Sequence, residues 1–194
     1  MKTLQTIILL LAANIVMAQI PFNDTRTYYY NDTKTFYESG YTYQCDVDKT
    51  IGGMVTLYNK DNIYTYEPLV FEDTGLDAGG SIFINGMKPL EDDNWTRQAC
   101  RDIADRFFSF DERTRVQRQE YGITMIIDSS TGKVIEVEFR FMYNRPFATI
   151  PVSTYRQIEL ELKNNIWFTP TDDGKRMRFI MRGWRHEVKP HVEK

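Results

Sequence analysis

The chain has 194 residues and a formal net charge of −3, from 24 Lys and Arg against 27 Asp and Glu. That mildly acidic balance lacks the basic field of a nucleic-acid binder, so nucleic acid is not an expected partner. The length suits one folded domain, or one domain with a small appendage.

Residues 1–18 come first in chain order. Lys2 precedes the short apolar run "IILLLAA" (Ile7 to Ala13), and "VMA" (Val16 to Ala18) places small residues at −3 and −1 of a cleavage site. This is the pattern of a secretory signal peptide, cleaved between Ala18 and Gln19. The run is too short to span a bilayer, and no later segment is long and apolar enough to do so. The expected location is therefore the periplasm or the outside of the cell, with no transmembrane segment in the mature chain.

Residues 19–34 are polar, aromatic and short of aliphatics, and read as an extended leader or edge strand. Tyr28, Tyr29 and Tyr30 cannot all face inward on one strand, which makes them candidate partner contacts. The folded domain is expected over residues 35–188, with 189–194 as a tail. Its first part, 35–91, is β-rich. Tyr41 to Val47 alternates as a half-buried strand, "MVTLY" and "IYTY" flank a turn as a hairpin, and "PLVF" and "SIFI" read as further short strands.

The second part, 92–188, follows an α-ββ-α-ββ order. Ala99, Cys100, Ile103 and Phe107 recur at helical spacing after Asp92-Asp93-Asn94. Ile123, Met125 and Ile127 alternate, as do Ile135, Val137, Phe139, Phe141 and Tyr143, and "DSSTGK" joins them into a hairpin. Ser153 opens a helix whose buried side carries Tyr155, Ile158 and Leu162. Ile166–Thr169 and Met177–Val188 are predicted to pair as a final hairpin in the same sheet. Alternation sends Trp167 and Phe168 to opposite faces, one into the core and one outward as a candidate contact. The fold class is α+β, an antiparallel sheet covered by helices.

Cys45 and Cys100 both fall on core-facing positions. In an oxidising compartment they form a bridge or remain two buried thiols. A bridge would close a loop of about 56 residues and contribute about 4 kcal/mol in the chain-entropy model. "DVDKT" (Asp46 to Thr50) matches the D-x-D-x-T nucleophile motif of haloacid-dehalogenase-type phosphatases. Its strand is tyrosine-rich, whereas that chemistry needs an aliphatic parallel strand, so the run reads as a polar strand end. The acidic runs Glu91-Asp92-Asp93 and Asp172-Asp173 read as helix N-terminal charge and turn chemistry. His186 and His191 lack the further ligands zinc would need, and no metal or cofactor is expected. The basic clusters Arg113 to Arg118 and Lys175 to Arg185 read as solvated faces.

The run "GKVIEVEFRF", a helix and "WFTPTDDGKRMRF" together resemble the C-terminal domain of the TonB energy-transducing family, at Gly132, Trp167, Phe168, Pro170 and Gly174. The resemblance covers about a third of the chain and implies a fold. As a whole the chain is similar to small exported Bacteroides-type proteins of unknown function, a group that brings no activity with it. The expected function is non-catalytic binding in the bacterial envelope, to a protein or a glycan. The alternatives are a secreted hydrolase with a carboxylate-based site and a TonB-like envelope adaptor.

Overall fold

A computed structural model describes residues 27–38, 40–83, 86–91 and 94–190. The expected signal cleavage site, at Ala18 and Gln19, and His191 lie outside the described residues. The strands are β1 (Lys34–Glu38), β2 (Tyr41–Asp48), β3 (Met54–Asn59), β4 (Glu120–Ile127), β5 (Val134–Met142) and β6 (Ile180–Glu187). The helices are α1 (Gly79–Phe83), α2 (Asn94–Arg106), α3 (Phe110–Val116), α4 (Val152–Asn165) and α5 (Asp172–Lys175). The strands form one six-stranded sheet in the order β1-β2-β3-β5-β4-β6, antiparallel at every pairing. The protein is therefore α+β. Among the described residues no helix is long and apolar enough to cross a membrane.

Alternation in β4 and β5 sets the two faces of the sheet. Ile123 pairs with Phe139 and Met125 with Val137, and all four are buried. On the neighbouring strand Leu57 lies beside Phe139 and Val55 beside Phe141, extending the same apolar face. Helix α4 covers it with Tyr155, Ile158 and Leu162. The Tyr155 ring stacks on Phe141 at 5.3 Å and meets Phe139 at 5.0 Å. Helix α2 adds Cys100, Ile103 and Ala104. The opposite face carries Asp46, Thr56, Thr124 and Arg140, as period-two alternation requires.

The final hairpin does not form. β6 pairs with β4, while residues 166–169 make only an isolated bridge between Trp167 and Lys133. The segment is held by other partners. The Phe168 amide donates to Gly132 O at 2.8 Å, Glu91 N donates to Thr169 O, and "DDGK" coils into α5 under a Thr171 cap. Gly132 makes this contact possible, because its φ is +73° and a Cβ there would sit 1.8 Å from Phe168 O. The Gly and the aromatic-x-Pro segment of the resemblance therefore meet as a lock between the β4–β5 turn and the end of α4.

Three expectations in the first half are also corrected. "IYTY" is not a strand, because β3 already pairs with β2 and β5 and has no free ladder. The Ile63 and Tyr64 amides instead donate to the Glu136 carboxylate, at 2.7 and 3.1 Å. "SIFI" lies largely in α1, where the Asp77 carboxylate accepts from the Gly79 and Gly80 amides. "PLVF" contributes isolated bridges, Val70 to Asp77 and Phe71 to Met177.

Phe168 is buried, with the Arg182 guanidinium 5.5 Å from its ring centre, whereas Trp167 is 57% exposed and rests on Trp95. Phe168→Ala should therefore cost about 3–5 kcal/mol and Trp167→Ala under about 1 kcal/mol. Chemical denaturation of the two variants measures the difference.

Candidate functional site

Helix α2 lies over β4 and the edge strand β6, and its last turn is latched to the end of β6. His186 Nε2 is 2.9 Å from Asp105 Oδ1, and the Lys189 amide donates to the same oxygen at 3.1 Å. Arg113 from α3 donates to the Asp105 carbonyl and, at 3.0 Å, to Phe108 O. Burial pushes the Asp105 carboxyl up, but the hydrogen bonds from His186 and the Lys189 amide outweigh it and hold the group below its ordinary range.

Ahead of this latch a groove of about 640 Å³ opens between α2 and β6. Thr96 and Cys100 line it from the helix, Met181 to Trp184 from the edge strand, and Met125 from β4, with Leu69 and Ile82 adding apolar surface. Among the described residues its charged groups are all guanidinium: Arg97 and Arg101, one turn apart on α2, and Arg182 on β6. Among the described residues none of these three has an ion-pair partner. Such a site holds an anion by charge and by forked N–H donation, and its apolar lining holds an apolar body. The reading of Lys175 to Arg185 as a solvated face is thus corrected at Arg182.

The acidic side chains of β2 and β5 lie on the other face of the sheet. Asp46 accepts from Tyr58 at 2.9 Å, Tyr66 at 2.7 Å and Gln44 at 2.8 Å. Burial and the bond to Asp46 push the Tyr66 hydroxyl up to about 12. Asp48 caps the following turn by accepting from Thr50 N at 2.9 Å. "DVDKT" is therefore a strand end whose two carboxylates organise local structure. Glu138 is buried beside Arg140, with 2.9 Å between them, and burial pushes its carboxyl up. Glu159, on α4, is buried on the apolar side of the sheet, where the Tyr43 hydroxyl and Arg156 both donate to it. Among the described residues no group of three or more His, Cys, Asp or Glu side chains could hold a metal ion.

The candidate contacts separate. Tyr30 is fully buried and its hydroxyl donates to Ile150 O at 2.9 Å, so it is a core residue rather than a contact. Tyr28 and Tyr29 are half-buried against the same core, and the Tyr29 amide donates to Ala148 O. Phe168 is likewise inside. Trp167 remains exposed and pairs with the exposed Trp95 at 4.7 Å between ring centres.

The cysteines are both buried and both free. They share the apolar side of the sheet, but Cys45 is on β2 and Cys100 packs over β4 and β6. Three strand spacings, about 14 Å, separate those positions, whereas a bridge needs Cα atoms within about 7 Å. The expected disulfide is replaced by two desolvated thiols, pushed up to about 12 at Cys45 and about 11 at Cys100.

Comparison with known proteins adds a family. The model of a domain of unknown function, DUF5043, matches residues 26–184. The chain belongs to the DUF5043 family. A crystal structure of a DUF5043 family protein from Bacteroides uniformis ATCC 8492 is similar to it at 39% identity and a TM-score of 0.79. That match covers 85% of this chain and 96% of the other. None of the curated proteins matches significantly. The whole-chain resemblance to Bacteroides-type proteins of unknown function is thereby established.

Two thiols should titrate in the denatured, non-reduced protein, and neither should react quickly in the native protein at neutral pH. A thiol-specific chromogenic reagent measures both. No thiol in the denatured sample would restore the bridge.

Proposed function

We propose that this DUF5043 protein is an exported binding protein of the bacterial envelope, and that its ligand is an anion with an apolar body held in the α2–β6 groove. The single observation that carries the reading is the set of Arg97, Arg101 and Arg182 around an apolar lining without a carboxylate among its described residues. Arg182 is half-buried, where a guanidinium normally has a partner, and the exposed Arg97 and Arg101 add positive charge at the mouth of the same groove. Three guanidinium groups lining one cavity, without an ion pair among the described residues, favour an anion from outside the chain. The "IILLLAA" run and the Val16–Ala18 pattern support export.

The alternatives receive less support. A carboxylate-based hydrolase needs acidic side chains converging on a cavity, whereas Asp46, Glu136 and Glu159 are each engaged in structural hydrogen bonds. The TonB-like adaptor reading rests on Gly132, Phe168 and Pro170, which serve an internal lock. The exposed Trp95–Trp167 pair favours an additional contact with an envelope protein or a glycan, since exposed indole faces suit either.

Calorimetric titration with decanoate, below its micellar concentration, tests the groove. Decanoate should bind, decylamine should not, and Arg97→Glu with Arg101→Glu should weaken decanoate at least about tenfold through loss of charge-assisted contacts. Equal binding of the two amphiphiles, or no effect of the double substitution, would overturn the anion reading.

A further inference from the structure

Resting on the reading of the groove as an anion site, we infer that its ligand is an extended stretch of polypeptide with alternating acidic and apolar residues, added to the sheet alongside β6. The groove is bounded by a strand edge as well as by side chains. Among the described residues β6 is an edge strand of the sheet and pairs only with β4. Among the described residues no other backbone group hydrogen-bonds to residues 180–187. Four consecutive residues of that edge, Met181 to Trp184, line the groove, so main-chain donors and acceptors border the same cavity as the arginines.

The chain itself begins such a ladder and then abandons it. Just before β6, Arg178 N donates to Val70 O at 3.0 Å and Glu72 N donates to Arg176 O at 2.7 Å, around an antiparallel bridge between Phe71 and Met177. Continued antiparallel, the next partner along β6 would be Pro68, which has no N–H to donate. Residues 63 and 64 instead turn to the Glu136 carboxylate on the polar face. Val70 to Glu72 thus flank the chain just ahead of β6, at an isolated bridge followed by a bend at Arg178 and Phe179, and among the described residues the position beside Ile180–Glu187 is open.

An added strand continues this ladder, and its side chains alternate between the two faces. Those on the helix side meet Arg97, Arg101 and Arg182, and charge complementarity makes them acidic. Those on the other side lie along Met181, which is 38% exposed, and are apolar. The four edge residues that line the groove span about 13 Å, so a segment of four to six residues fills it. Exposed strand edges are commonly guarded by charge, and the charged residue of β6 that lines the groove, Arg182, is positive. The guard that repels a second copy of the basic edge admits an acidic strand.

The test uses the purified protein and a fluorescein-labelled hexapeptide, Leu-Glu-Leu-Glu-Leu-Glu, read by anisotropy. The peptide should bind, its Leu-Lys counterpart should not, and Arg97→Glu with Arg101→Glu should weaken it at least about tenfold. Two N-methylated peptides then test the ladder. Only every second amide of an edge strand points at its neighbour. Methylation of one alternate set should weaken binding at least about tenfold, and methylation of the other set should leave it nearly unchanged. If both methylated peptides bind as well as the parent, or decanoate binds and the hexapeptide does not, strand addition is overturned while the anion reading stands. If neither decanoate nor the hexapeptide binds, both fall.

Discussion

The buried contact between Asp105 and His186 is the constraint on which the rest of the arrangement depends. A carboxylate in this position is expensive to bury unless its charge and lone pairs are used. His186 and the Lys189 amide both bond its Oδ1, and Arg113 secures the carbonyl of the same residue. These bonds join three elements that are distant in sequence: the end of α2, the start of α3 and the end of β6. They fix α2 at the margin of the sheet, over β4 and the edge strand. With one end pinned there, the other end stands over Met181 to Trp184 with Arg97 and Arg101 on its outer side.

The two faces of the sheet then divide the chemistry. The apolar face is closed by α4 and α2 around Tyr155, Phe139 and Phe141. On the opposite face Asp46 accepts from Tyr58 and Tyr66, and Glu136 accepts from the Ile63 and Tyr64 amides and closes the 60–66 loop over the sheet. Asp46 and Glu136 are thus engaged in structure, while among the described residues the arginines at the β6 margin have no ion pair. The asymmetry follows from position. A buried carboxylate needs a donor from its own chain, but a guanidinium at a cavity mouth keeps partial hydration and tolerates an open valence. This is why the cavity, and not the acidic cluster, carries the functional reading.

Where periodicity is long and unbroken, sequence and structure agree. The β4–β5 hairpin and the α2 and α4 helices follow directly from the alternation of Ile135 to Tyr143, the Cys100–Ile103–Phe107 stripe and the Tyr155–Ile158–Leu162 stripe. Residues 63–90 were not legible, because short apolar runs fit a strand, a turn or a helix equally well. What decides among them is Glu136 and Asp77, carboxylates whose targets are backbone amides. The cysteine positions were correctly core-facing, but alternation reports a face and not the distance across the sheet. The groove was hidden for a related reason. Arg97 and Arg182 are far apart in sequence and meet only because β6 pairs with β4 instead of with residues 166–169. Arg97 and Arg101, one turn apart beside an apolar stripe, were the one local signal available.

The most direct measurement is amide hydrogen exchange across Ile180–Glu187, followed by NMR with and without the Leu-Glu hexapeptide. An open edge predicts alternating protection in the free protein, with every second amide slow through its bond to β4 and the others fast. Addition of the peptide should slow the fast set alone. Uniform protection of these amides in the free protein, or no change on adding the peptide, would contradict the account.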